Sequence, residues 1–125
     1  MKKFDKDGKI NFVDDNNVFV GYDMQQDCCE NADWFISDKE ESDVYDSNYN
    51  RIEQRDYDIE RYNFDKDYFE EISCPQLDEG GMVRFKLVSN DGLPLYLHLY
   101  NSHNGYYGHG FTMSIGGVVV KDSYL

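Results

Sequence analysis

The last third of the chain alternates apolar and polar residues with a period of two, and no other feature restricts the fold as strongly. In residues 82–88, Val83, Phe85 and Leu87 fall on one side and Arg84 and Lys86 on the other. After the turn-forming run Ser89-Asn90-Asp91-Gly92, Leu93, Leu95, Leu97 and Leu99 alternate with Pro94, Tyr96, His98 and Tyr100. Phe111, Met113 and Ile115 then alternate with Thr112 and Ser114, Gly116-Gly117 supplies a tight turn, and Val118-Val119-Val120 returns. Alternation of this kind specifies strands with one buried face, and short turns between them specify antiparallel pairing. Pro94 has no N–H for a ladder and belongs at a strand start or an edge.

The rest of the chain is less regular. Residues 9–13 and 18–22 flank Asp14-Asp15-Asn16-Asn17 and read as a hairpin. Asp27 followed three residues later by Glu30 resembles a helix cap, so a short helix is expected from about Cys28. Residues 37–56 are polar, with Val44, Tyr45 and Ile52 as the few apolar anchors, and read as a long excursion. Residues 57–61 alternate like a strand. In residues 65–73, Tyr68, Phe69 and Ile72 recur at spacings of three and four, as in one or two helical turns ended by Pro75. The expected fold class is therefore α+β: a predominantly antiparallel sheet or partly closed roll with one or two short helices. A chain of 125 residues without an evident linker reads as a single domain over residues 1–125.

Charge narrows the choice of partners. The chain carries 25 acidic against 12 basic side chains, a formal net charge of −13. The excess lies in residues 23–79, with nineteen acids and five bases, while residues 1–22 balance four against four. Such a field repels phosphate backbones, so direct nucleic-acid binding is not expected. It suits a solvated face, a basic protein partner, or an acidic inhibitor that imitates nucleic acid. No apolar run approaches the length of a membrane span, and MKKFDKDGK has no apolar signal core, so a cytoplasmic protein is expected.

Three regions carry candidate chemistry. Residues 5–14 can be set against a calcium-binding loop, but Lys3 stands where the first carboxylate is needed and no entering helix has room; a polar turn after a frayed terminus reads better. The run from Asn101 to Phe111 contains His103, Asn104, Tyr106, Tyr107 and His109 among three glycines, residue types that populate functional loops. Asp27, Cys28, Cys29 and Glu30 form the third region. A thiol at a helix start has its thiolate favoured, whereas neighbouring carboxylates oppose ionisation. An odd count of three cysteines without a secretory signal points to free thiols. If the second and third regions meet, a cysteine, a histidine and a carboxylate would suit nucleophilic chemistry, or Cys28, Cys29, His103 and His109 could hold zinc. No cofactor is otherwise expected, and no catalytic motif of established spacing is present.

Together, Asp27-Cys28-Cys29-Glu30 and His103-Asn104-Gly105-Tyr106-Tyr107 with His109-Gly110-Phe111 resemble a family of small bacterial and phage proteins of unknown function. The resemblance implies a compact domain and supplies no activity. An accessory or interaction protein that meets a protein partner is the leading functional expectation, ahead of a metal or thiol site and of a nucleic-acid mimic.

Overall fold

The computed structural model describes all residues except 27–29, 53–56, 104 and 106–107. The described chain forms nine strands: β1 (Lys2–Lys6), β2 (Lys9–Val13), β3 (Val18–Asp23), β4 (Asn31–Ser37), β5 (Asn63–Ile72), β6 (Gly81–Val88), β7 (Leu95–Ser102), β8 (Gly110–Ile115) and β9 (Val118–Tyr124). They pair antiparallel throughout, in a five-stranded sheet of order β1-β2-β3-β8-β9 and a four-stranded sheet of order β4-β7-β6-β5. We call these sheets A and B.

The two sheets pack face to face. Phe12, Val20, Tyr22, Phe111 and Met113 of sheet A meet Val83, Phe85, Leu97 and Leu99 of sheet B in one buried cluster. The Phe12 and Trp34 rings meet edge-on at 5.3 Å, and Phe111 stacks on Phe69 at 6.0 Å. Polar atoms also bridge the layers. The buried Tyr22 hydroxyl donates to the Tyr100 carbonyl at 2.6 Å. Asp14 accepts from the Asn16 and Val18 amides through Oδ1, and from the Phe64 amide through Oδ2 at 2.9 Å. One carboxylate thus closes the β2–β3 turn and anchors the start of β5.

Several elements depart from the sequence reading. The fold is an all-β sandwich rather than α+β: among the described residues, the one helical element is the 3₁₀ turn Pro75–Leu77. From Asn31 onward the expected short helix is strand β4, while its start at Cys28 lies outside the described residues. Trp34, Phe35 and Ile36 are consecutive and apolar because both faces of β4 are covered, so alternation is lost. Residues 65–73, read as helical, belong mostly to β5. A register shift between Phe64 and Phe69 lets both rings reach the core although they are an odd number of residues apart, and that shift mimics helical spacing. Residues 57–61, read as a strand, form none. The supposed frayed terminus is β1, joined to β2 by Asp7 (φ 55°) and Gly8 (φ 76°), the two positive-φ residues a tight hairpin needs.

After β4, residues 38–52 lie over the outer face of sheet B. Val44 is buried with Phe35, Cys74, Leu77, Met82 and Tyr100 in a second apolar cluster. Gln76 Oε1 accepts from the Val44 and Tyr45 amides at 2.9 and 3.0 Å, and Tyr45 bridges Arg51 to form a short loop. We refer to residues 38–52 as the strap.

Candidate functional site

Two connections cross between the sheets: residues 24–30 from β3 to β4, and residues 103–109 from β7 to β8. They carry the two motif regions, and they touch. His109 is buried, with its backbone N–H and C=O both paired to Leu125. Its ring lies edge-on to Tyr22, 6.4 Å between centroids. Nδ1 stands 2.8 Å from the Asp23 carbonyl, and Nε2 stands 3.3 Å from Glu30 Oε1, with the Glu30 side chain 1% exposed. A carbonyl only accepts, so Nδ1 bears a hydrogen.

The remaining candidates are dispersed or undescribed. His103 accepts from the Gly105 amide through Nδ1 at 2.9 Å, and its carbonyl accepts from the Glu79 amide at 3.0 Å. Asp27, Cys28, Cys29, Asn104, Tyr106 and Tyr107 lie outside the described residues. Among the described residues no three His, Cys, Asp or Glu side chains converge in a way that would hold a metal ion. Cys74, buried beneath the strap, has its thiol pushed up in pKa by burial.

A polar cluster that sequence reasoning missed sits between the strap and sheet B. Arg84, 4% exposed, donates through Nε to the Tyr68 hydroxyl at 2.8 Å and through Nη1 to the Glu41 carbonyl at 2.7 Å. Its Nη2 pairs with Glu70 and, at 3.4 Å, with Glu40. His98, directly opposite Arg84 on β7, is fully buried, stacks on Phe35 at 4.3 Å and accepts from the Glu41 amide through Nε2 at 3.2 Å. Burial, and then the nearby guanidinium, hold the His98 pKa down to about 3. Period-2 alternation assigned Arg84 and His98 to a solvent face. The run Tyr96, His98, Tyr100 on that face was the available signal that something covers it.

Charge divides between the layers. Residues 1–23 and 110–125, which supply all of sheet A, carry six acids and five bases; residues 24–109 carry nineteen and seven. The opposite edge of sheet A from β1 is β9, exposed along all seven residues. Of the seven large apolar side chains left exposed among the described residues, four (Val118, Val119, Val120 and Tyr124) belong to β9. Among the described residues no helix is long and apolar enough to cross a membrane.

No curated protein and no solved structure matches the chain. A family model described as "Domain of unknown function (DUF7448)" matches residues 1–113, which take in both motif regions and leave β9 outside. With most of its length matched, from β1 into β8, the chain belongs to this family of unknown function.

Proposed function

We propose that the protein is a non-catalytic interaction domain that docks a protein partner on the β8–β9 end of sheet A. The observation that carries this reading is the concentration of exposed apolar side chains on one edge strand, with Val118 66% and Val119 56% exposed. Isolated exposed valines need no explanation, but three in a row at the tip of a hairpin leave apolar side chains exposed on both faces of one edge strand. The farther half of β9 is guarded: Lys121 turns its ammonium over the Phe69 ring at 4.9 Å, and the β8–β9 register shifts between Met113 and Ser114. Inward-turned charge and a bulge are devices that discourage edge pairing, and they leave the valine tip as the accessible part. The near-neutral charge of sheet A makes this layer the one a partner approaches with least repulsion.

The test is affinity capture with the full chain, followed by crosslinking of what is retained, for the natural protein and for Val118→Lys and Val119→Lys. Crosslinks to residues 117–124 are expected, with affinity for the captured partner weakened about 10- to 100-fold in the variants. A partner held equally well by both variants, or crosslinked only to sheet B, overturns the reading.

The Glu30–His109 contact favours a second reading, a thiol or zinc site built where the two motif regions meet. Both ring nitrogens of His109 are already engaged, so a metal would have to displace either Asp23 or Glu30. Native mass spectrometry of chelator-free protein decides it: a mass excess of one zinc that disappears in both Cys29→Ser and His109→Ala supports this second reading, and a bare-chain mass removes zinc from it.

A further inference from the structure

The outer face of sheet A carries a groove of about 410 Å³ running across β2, β3, β8 and β9. Gly21 of β3 and Gly110 of β8 both line it. A Cβ on Gly21 would lie 2.9 Å from the Phe19 ring, and one on Gly110 would lie 3.4 Å from the Tyr124 ring. Each glycine therefore admits an aromatic ring close over its own backbone, and the two rings give the groove apolar surface. Tyr124 is 75% exposed.

The polar lining is equally specific. Asn11 is only 5% exposed, and its Nδ2 is spent on the Phe4 and Lys9 carbonyls at 3.4 and 3.2 Å. Its Oδ1 lies 3.0 Å from the point where a Gly21 Cβ would stand, beside the Phe19 ring. An acceptor on the groove lining suits a ligand that brings a donor. Thr112 donates to Asp122 at 3.3 Å along one wall, and Lys9 is registered opposite Asp23 along the other.

We propose that this groove binds a neutral saccharide. The C–H face of a pyranose packs on the Phe19 and Tyr124 rings, one hydroxyl donates to Asn11 Oδ1, and others reach Asp122, Asp23 and Lys9. The alternatives fit less well. Lys9 is offset by Asp23 and Asp122, and the molecule carries −13 overall, so a phosphorylated or sulfated ligand meets repulsion. Charged and amide groups along the groove disfavour an acyl chain, which needs continuous apolar lining.

The test is amide NMR titration of the nitrogen-labelled full chain with maltose, cellobiose and N,N′-diacetylchitobiose. At least one of the three should shift the Gly21, Gly110 and Thr112 amides saturably. Phe19→Ala and Tyr124→Ala should each weaken binding by about tenfold while the dispersion of the spectrum is retained. Thr112→Val, conservative in shape, should weaken it with less risk to folding. Val119→Lys lies outside the groove lining and should leave the titration unchanged, so the saccharide site and the protein-docking surface fail separately. Absence of saturable shifts with all three sugars, or binding that survives both aromatic variants, overturns the proposal.

Discussion

Two buried polar residues show how single side chains hold this sandwich together. Asp14 satisfies three backbone amides, in the β2–β3 turn and in both sheets, so Asp14→Ala leaves the buried Val18 and Phe64 amides without an acceptor. Charge-assisted hydrogen bonds of this kind support an expected loss of about 3 kcal/mol, read by urea denaturation. A loss near zero would mean that water replaces the carboxylate at all three amides. His98 links stability to pH. Its folded pKa of about 3 lies below the ordinary value of 6.5, so between those values the unfolded chain binds the proton that the folded chain refuses. Its contribution is thus complete above pH 6.5 and is lost as pH falls toward 3. Between pH 6.5 and 4.5 the loss amounts to about 2 kcal/mol. Urea unfolding at both pH values should give a smaller difference for His98→Gln than for the natural chain; equal differences would show that other groups carry the acid sensitivity. Neither role was legible in the sequence. Asp14 read as turn chemistry and His98 as a solvent-side residue, because alternation identifies faces without saying what covers them.

At the scale of elements, the strap is attached by contacts that differ in kind from those of the sheets. It adds no strand to either sheet and is held by Gln76, Arg84, His98 and one buried apolar side chain, Val44. Gln76→Ala removes the acceptor for two strap amides and a donor to the Tyr45 carbonyl. Hydrogen exchange should then accelerate across residues 38–52 while β6 and β7 remain protected, with a stability loss of about 1–2 kcal/mol. Uniform acceleration through both strands would show that the strap and sheet B open as one unit. The hairpins were the most legible elements. Gly116 (φ 58°) and Gly117 (φ 83°) occupy the two positive-φ positions that the sequence pair announces. The β5 bulge was the least legible, since an extra run of residues in one strand erases the period on which recognition depends.

For the whole molecule, the division of charge is the property with the broadest consequence. Sheet A is nearly neutral, and the segment comprising sheet B and its connections holds most of the excess of carboxylates. Repulsion within that acidic layer opposes folding and is screened by salt, whereas the exposed pairs Arg51–Asp33 and Arg61–Asp91 contribute little in either condition. The melting temperature should therefore rise from low to physiological ionic strength. A fall would mean that favourable ion pairs outweigh repulsion. The same division leaves sheet A as the face on which both proposed binding surfaces lie.

Local pattern was enough to specify antiparallel hairpins, the turn at Gly116-Gly117, the acidic middle segment and the two motif regions, because each depends on neighbours a few residues apart. Only the tertiary structure decided that the hairpins divide between two sheets, that the strap covers His98 and Arg84, and that Glu30 meets His109. Those outcomes depend on which faces bury one another across a separation of 79 residues in the case of Glu30 and His109, and alternation along a strand carries no information about its partner across the core.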